Sequence, residues 1–218
     1  MGTLMSKSSI PRRFRCNHGC VVPPSDHAVS RFMNTIDEGW NKDRDVLAVV
    51  CDAVEVNPEV WNNADYRQMA IDILLSIGTN MILDGSNHRM AQYFGICIST
   101  LECYDGEGDS EKAQNLAQVK VLRSLPFGSG VRDALKFYTK RVACSCLKDS
   151  YKHARKTLPK IGMCDNCQQV KERASLMTCG RCKVPLYCSR ECQVANVPAH
   201  KEECSKFADI RRQLYEMK

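Results

Sequence analysis

Residues 164–204 read CDNCQQVKERASLMTCGRCKVPLYCSRECQVANVPAHKEEC, a stretch with four pairs of potential metal ligands. These pairs, in chain order, are Cys164–Cys167, Cys179–Cys182, Cys188–Cys192 and His200–Cys204. The two-residue gaps suit knuckle turns, in which backbone N–H groups hydrogen-bond to sulfur, and the three-residue gaps place ligands on one helical face. Eight correctly spaced ligands predict two closed tetrahedral zinc sites, which would stabilise this short segment.

Disulfide bonds and small buried side chains are the alternatives for these cysteines. A secreted disulfide scaffold would begin with a signal peptide, but this chain begins MGTLMSKSSIPRRFR, without an apolar segment. No stretch approaches the ~18 apolar residues that a membrane helix needs. We therefore expect an intracellular protein, cytoplasmic or nuclear, that has no membrane association and whose thiolates bind metal.

The same segment resembles a MYND zinc finger, including Tyr187 before the third pair and Gln193 after it. The resemblance implies that the pairs interleave. One zinc ion would be bound by Cys164, Cys167, Cys188 and Cys192, and the other by Cys179, Cys182, His200 and Cys204. Spacing alone leaves a sequential arrangement open. Because side chains would fill every coordination position, both zinc ions are expected to be structural.

Similarity to MYND fingers also implies a function. Such fingers capture short proline-containing peptides of partner proteins along an exposed edge and a shallow pocket, so we expect a protein–protein interaction adaptor, in transcriptional or chromatin regulation. Gln193 stands at a position that the family uses for peptide contact. The chain departs from the family at Val197, where tryptophan is common, and at Gly180, where a small polar residue is common.

Upstream of this segment, apolar residues recur with helical spacing. The clearest stripe runs from Tyr66 to Met81 and is followed by Gly85, a typical helix stop. Strand-like alternation is nearly absent before residue 160. The predicted fold class is therefore mainly α, an N-terminal array of antiparallel helices with a small C-terminal zinc-stabilised MYND finger.

Three segments are predicted. Residues 1–24 form an irregular arm that contains three prolines, residues 25–160 an α-helical domain, and residues 161–218 the finger with a C-terminal helix. Ser129 is expected to cap one helix of the array. Pro198 is expected to begin the last helix, which carries two of the zinc ligands.

Cysteines outside the finger offer ligands for a third metal site. Cys16, His18 and Cys20 lie in the arm, and Cys144 and Cys146 lie near the end of the helical array. The preferred ligands are Cys16, Cys20, Cys144 and Cys146, with His18 as a substitute. The alternative is two unrelated groups of thiols. The chain would accordingly bind two structural Zn²⁺ ions, or three if this site exists.

The formal net charge of +6 overstates how basic the chain is. Seven zinc-bound thiolates and two Zn²⁺ ions would lower it to about +3. Basic residues concentrate between 136 and 160, namely Lys136, Lys140, Arg141, Lys148, Lys152, Arg155, Lys156 and Lys160. This segment is either an electrostatic footprint for nucleic acid or an acidic protein, or a solvated helix face. No nucleic-acid motif accompanies it, so the solvated face is favoured and nucleic acid is not expected as a partner.

We expect no enzymatic activity. The enzyme alternative is a SET/MYND-like lysine methyltransferase, since MYND fingers also occur in SET-domain proteins. That class needs glycine-rich and Asn-His motifs in a largely β fold. The Asn-His pair at Asn87–His88 begins a predicted helix and has none of the surrounding motif.

Overall fold

The computed structural model describes residues 27–42, 46–103, 119 and 129–216. The predicted arm at residues 1–24, with Cys16, His18 and Cys20, lies outside the described residues. So do residues 104–128, apart from Val119. The division of the chain into three segments stays a prediction.

Seven helices make up the described part of the region before residue 160. They are α1 Ala28–Asn41, α2 Val46–Val56, α3 Pro58–Asn62, α4 Ala64–Asp84, α5 His88–Cys103, α6 Val131–Thr139 and α7 Ser145–Thr157. The consecutive pairs α1–α2, α4–α5 and α6–α7 pack closely against each other. The predicted mainly α fold class is confirmed.

The predicted apolar stripes face one common core. Phe32 and Ile36 of α1, Leu74 of α4 and Leu135 of α6 have no exposed surface. Tyr138 of α6 is also fully buried, and its hydroxyl donates a 2.7 Å hydrogen bond to the backbone oxygen of a residue in α5. The helices therefore fold mainly by burying hydrocarbon, and a neighbouring helix satisfies the buried hydroxyl of Tyr138.

Local sequence features explain several helix ends. The side chain of Asn63 caps α4 by accepting hydrogen bonds from the N–H groups of Asp65 and Tyr66. Gly85 ends α4 with a φ of 72°, in the left-handed region. The prediction for Ser129 is wrong, because Gly130 is the N-cap of α6. Ser129 instead accepts a 3.2 Å hydrogen bond from the side chain of Gln92, which occupies its hydroxyl.

The finger contains two short antiparallel strand pairs and two helices. These are β1 Ile161–Met163 with β2 Val170–Glu172, β3 Met177–Thr178 with β4 Leu186–Tyr187, α8 Arg190–Ala195 and α9 Val197–Glu216. The last helix begins at Val197, one residue before its predicted start at Pro198. Proline fits there because the first turn of a helix leaves its N–H groups unbonded.

A second, smaller apolar cluster lies within the finger. It combines four cysteines with Val184, Tyr187, Phe207 and Val119. Val119 is fully buried although it belongs to the connection between α5 and α6. The predicted finger segment therefore shares its core with a residue of the preceding region.

None of the described helices has both the length and the apolar character that are needed to cross a membrane.

Candidate metal centres

Two knuckle turns with the same backbone geometry carry the C-x2-C pairs. The N–H of Gln168 donates to the carbonyl of Cys164 at 2.8 Å, and the N–H of Lys183 donates to the carbonyl of Cys179 at 3.1 Å. Both donors have a positive φ, 56° and 59°, which is uncommon outside glycine. This strained backbone is retained in both turns, each of which aims two sulfurs toward one point.

The side chains of the eight predicted ligands fall into two groups. In each group, all ligand atoms lie within 4.8 Å of one another. Cluster one consists of Cys164, Cys167, Cys188 and Cys192, and cluster two of Cys179, Cys182, His200 and Cys204. The first and third pairs thus meet, as do the second and fourth. This grouping is the interleaved one that the MYND resemblance implies.

The four ligands of cluster one come from the first knuckle, from the residue after β4 and from α8. The sulfur of Cys188, at the end of β4, lies 3.5 Å from that of Cys167 in the first knuckle. It also lies 3.4 Å from the sulfur of Cys192 in α8. Ser189 caps α8 by accepting a hydrogen bond from the N–H of Cys192, which fixes where the helix begins.

Cluster two connects the second knuckle to the first turns of α9. The sulfur of Cys182 lies 3.4 Å from Nε2 of His200, and the sulfurs of Cys179 and Cys204 are 3.7 Å apart. His200 and Cys204 are one helical turn apart, so both side chains project from the same face of α9. All four ligands of this cluster are buried.

These distances fit a tetrahedral zinc ion. For Zn–S bonds of about 2.3 Å, the edge of a regular tetrahedron is about 3.8 Å, close to the observed sulfur–sulfur contacts of 3.4–3.7 Å. The same contacts are far longer than a disulfide bond of about 2.05 Å. None of the seven finger cysteines is oxidised to a disulfide. Both donor sets therefore suit zinc.

The acidity of the thiols also indicates a need for a cation. Burial opposes ionisation of Cys164, yet hydrogen bonds from the N–H groups of Cys167 and Cys188 lower its pKa to about 6. Hydrogen bonding to the sulfurs of Cys192 and Cys167 raises the pKa of Cys188 to about 12. Without a metal ion, the surrounding groups therefore favour ionisation of Cys164 and oppose ionisation of Cys188. A bound divalent cation would favour the thiolate form of all four cysteines of cluster one.

Cluster two shows the same division. Burial opposes ionisation of Cys179 as well, but the N–H of Cys182 and the side chain of His200 lower its pKa to about 6. Burial raises the pKa of Cys182 to about 12. A bound Zn²⁺ would favour loss of the proton from this second thiol, because it would place positive charge beside the sulfur.

Sequence reasoning missed Asp165, which lies between the first two ligands. Its carboxylate accepts a hydrogen bond from the N–H of Leu186, and its own N–H donates to the carbonyl of Leu186 at 2.8 Å. These two bonds connect the first knuckle to β4 just before Cys188. The tendency of Asp to hydrogen-bond to nearby backbone in turns could have identified it.

The structure describes two of the four preferred ligands of the predicted third site. Cys144 and Cys146 are both buried, on either side of the first residue of α7. Cys16 and Cys20, with the substitute His18, lie outside the described residues. The third site therefore stays a prediction.

The predicted contact residue Gln193 lies in α8 next to two exposed valines. Its side-chain oxygen accepts a 2.7 Å hydrogen bond from Arg190. Val194 is 55% exposed and Val197 is 50% exposed. Asn196 faces the other way and donates to the hydroxyl of Tyr187 at 3.1 Å. The result is a partly apolar surface beside cluster one, which we name the valine strip: Gln193, Val194 and Val197.

The basic segment 136–160 lies on α6, α7 and the turn that follows. Arg141 makes two hydrogen bonds to the carboxylate of Glu102, at 2.8 and 2.6 Å, and its guanidinium covers the ring of Phe137. Lys152 pairs with Asp149 on the surface of α7. These contacts are typical of a solvated helix face. The nucleic-acid alternative stays a prediction.

Comparison with known proteins identifies the segment. Residues 164–204 match the MYND finger family model. The human N-lysine methyltransferase SMYD2 (Homo sapiens) is 33% identical over 94 residues, 43% of this chain and 21% of that protein. SMYD2 of Gallus gallus is 35% identical over 78 residues, 36% of this chain and 17% of that protein. The chain thus spans about a fifth of the relatives it matches. No solved structure matches it significantly.

These comparisons establish a MYND finger in the C-terminal region, a zinc-binding domain that mediates protein–protein interactions. They also correct one prediction. The expectation that the chain is not an enzyme is wrong, because the matched relatives are lysine methyltransferases, at 29–36% identity. Sequence reasoning weighed missing motifs upstream of the finger, whereas the similarity lies in the part that contains the finger.

Proposed function

We propose that this chain is a protein–protein interaction adaptor whose MYND finger binds two zinc ions, one in each cluster, and captures partner peptides. The ligand sets proposed are those of cluster one and cluster two. The sulfur–sulfur distances of 3.4–3.7 Å support them, because they approach the edges of zinc tetrahedra. The proposed setting is transcriptional or chromatin regulation, in the cytoplasm or the nucleus.

The valine strip is the proposed contact surface for a peptide. Two half-exposed valines stand next to Gln193, the predicted peptide contact. Exposed apolar side chains beside a hydrogen-bonding amide can hold an apolar residue such as proline and orient its backbone. Val197 replaces the usual tryptophan, so we expect a smaller apolar contact and weaker selectivity for proline. This juxtaposition is the observation that carries the proposal.

Short strands of the finger offer a second element of recognition. All three residues of β2 are exposed, and β3 pairs with β4 alone among the described residues. A strand with one unpaired edge can accept an extended peptide through main-chain hydrogen bonds. The peptide would thus gain affinity from the strand edge and selectivity from the valine strip.

Binding to an array of proline-containing peptides tests this proposal. The variant carries Val194→Asp together with Val197→Asp, which places two carboxylates on the strip without touching a ligand of either cluster. We expect the wild-type chain to bind a subset of the array and the variant to lose at least tenfold in affinity. Fluorescence anisotropy with the strongest peptide measures the change.

Val56→Asp is the matched control. Val56 is 68% exposed and lies at the end of α2, outside the finger. It should bind the peptide as the wild type does. Equal binding by wild type, double variant and control would contradict the valine strip as the contact surface, and binding to no peptide would contradict peptide capture.

Lysine methyl transfer is a second candidate, favoured by the similarity to SMYD2. The Asn87–His88 pair does not support it, because the side chain of Asn87 caps α5 by accepting a 3.0 Å hydrogen bond from the N–H of Met90. Transfer of a labelled methyl group from S-adenosylmethionine to mixed histones measures this activity. Labelling above that of a heat-denatured sample would support the candidate, and equal labelling would contradict it.

A further inference from the structure

The two clusters differ sharply in their exposure to solvent. In cluster one, Cys164 is buried, but Cys167 is exposed and both Cys188 and Cys192 are half-buried. Every ligand of cluster two is buried, and Cys182 has no exposed surface. The two clusters share their turn geometry and similar ligand distances, but the ligands of cluster one are more accessible to reagents in solution than those of cluster two.

Packing explains this difference. The sulfurs of cluster two belong to the finger's apolar cluster, where Val119, Val184 and Phe207 are fully or almost fully buried. Cys188 and Cys192 only border that cluster, and Cys167 lies outside it. Cys167 therefore meets solvent without any opening of the finger, whereas a water-soluble reagent should reach the ligands of cluster two only after local unfolding.

Cluster one is also the more electron-rich site. Four thiolates around one Zn²⁺ carry a net charge of about −2, while three thiolates and a neutral imidazole carry about −1. Thiolates are the sulfur species that react with peroxides, and reactivity follows thiolate character together with exposure. Charge and exposure both favour cluster one.

We propose that Cys167 and Cys188 form a peroxide-reactive pair, so that oxidation removes the metal from cluster one while cluster two keeps its own. The sulfurs of the pair are 3.5 Å apart, and Cys167 is the exposed member. The proposal rests on the ligand sets proposed above, which the zinc content of the untreated protein tests separately.

The reaction is a two-electron oxidation by hydrogen peroxide. The thiolate of Cys167 attacks one oxygen, the O–O bond breaks, and a sulfenic acid and a hydroxide ion form. The thiolate of Cys188 then attacks that sulfur, an S–S bond forms, and a second hydroxide leaves. Two protons from solvent convert both hydroxides to water. Cluster one then retains two of its four ligands, too few to close a tetrahedral site.

The experiment treats the full, zinc-loaded chain with hydrogen peroxide. A chromogenic chelator follows zinc release, and peptide mapping after alkylation identifies oxidised cysteines. We expect one zinc ion per chain to leave in a first phase, together with a Cys167–Cys188 disulfide. The cysteines of cluster two should remain reduced, and the second ion should leave at least tenfold more slowly. Release of both ions in one phase, of cluster two first, or of neither would overturn the proposal.

Cys167→His provides the matched variant, since imidazole can replace a thiolate as a zinc ligand but cannot form a disulfide. We expect the first phase to be at least tenfold slower, with release expressed per zinc ion bound before treatment. An unchanged rate overturns the proposal. If this variant purifies with less zinc, alkylation of the wild type with N-ethylmaleimide decides instead. Labelling of Cys167 before any cysteine of cluster two supports the proposal, and the reverse order overturns it.

Discussion

The helical array and the finger achieve a folded state by different means. The array buries large hydrocarbon side chains from all seven of its described helices in one core. In the finger, four of the eight buried residues of the apolar cluster are cysteines that we assign to metal. A segment with so little hydrocarbon to bury depends on another source of free energy. Loss of metal should therefore destabilise the finger more than the array, and changes in core packing should destabilise the array more than the finger.

Two fully buried cysteines test this contrast with the same substitution. Cys182→Ser removes a ligand of cluster two, and Cys97→Ser changes a core residue of α5. Structural zinc stabilises small fingers by about 10–16 kcal/mol, so we expect Cys182→Ser to unfold the finger and to release at least one zinc ion. Elemental analysis and hydrogen exchange of residues 161–216 measure these effects.

Cys97→Ser should be far milder and should leave the zinc content unchanged. A serine there can donate to the carbonyl four residues earlier, as Ser99 does to Gly95 at 2.9 Å, so we expect a loss of about 1 kcal/mol. Equal zinc content and equal hydrogen exchange in the two variants would contradict the claim that metal stabilises the finger whereas hydrocarbon burial stabilises the array.

A pair of glycines tests the packing side of the comparison. A Cβ at Gly78 in α4 would overlap the hydroxyl of Tyr138, whereas a Cβ at Gly180 would meet nothing within 4 Å. Overpacking typically costs about 1–3 kcal/mol, so Gly78→Ala should lower the free energy of unfolding of the array by that amount. Gly180→Ala should change little. Urea unfolding with intact zinc content measures both, and a neutral Gly78→Ala would contradict the close α4–α6 contact.

The smallest expected effect concerns Asp133, a buried residue of α6 whose Oδ2 has no hydrogen-bond partner among the described atoms. Burial raises the pKa of its carboxyl, and the nearby Lys160 and Lys136 only partly offset this. The folded chain therefore binds a proton more tightly than the unfolded chain. Stability contributed by this group falls as the pH rises above the unfolded pKa of about 3.9.

We accordingly expect Asp133→Asn to raise the free energy of unfolding at pH 7 by about 0.5–1 kcal/mol. The gain should shrink as the pH falls toward 4. Asp149→Asn is the control, because Asp149 pairs with Lys152 on the exposed surface, where ion pairs contribute little. A destabilised Asp133→Asn would show that neighbouring cations already compensate the charge.

Features of the finger that depend on residues close together in the sequence could be predicted, whereas features that depend on packing of distant segments could not. Ligand spacing predicted the knuckles and the position of α9, because both depend on residues a few positions apart. Spacing left the choice between interleaved and sequential pairing open, since that choice depends on how β4 and α8 pack over the first knuckle. The burial of Val119 in the finger depends on contact between distant segments, which no local pattern encodes.

The array shows the same limit. Helical stripes predicted α4 and its end at Gly85, because periodicity and a left-handed glycine are local properties. The cap of α6 was missed, since Ser129 is held by Gln92 from another helix. The methyltransferase alternative was set aside for a different reason, because its motifs are missing upstream of the finger, whereas the similarity covers 94 residues and 21% of human SMYD2.

Chelation followed by hydrogen exchange tests the central claim most directly. The full chain is freed of zinc with a strong chelator under reducing conditions and compared with the zinc-loaded chain. We expect residues 161–216 to lose their protection from exchange, α4 and α5 to keep theirs, and added zinc to restore the protection of the finger. Protection of the finger that persists without metal would contradict the claim that zinc holds it folded.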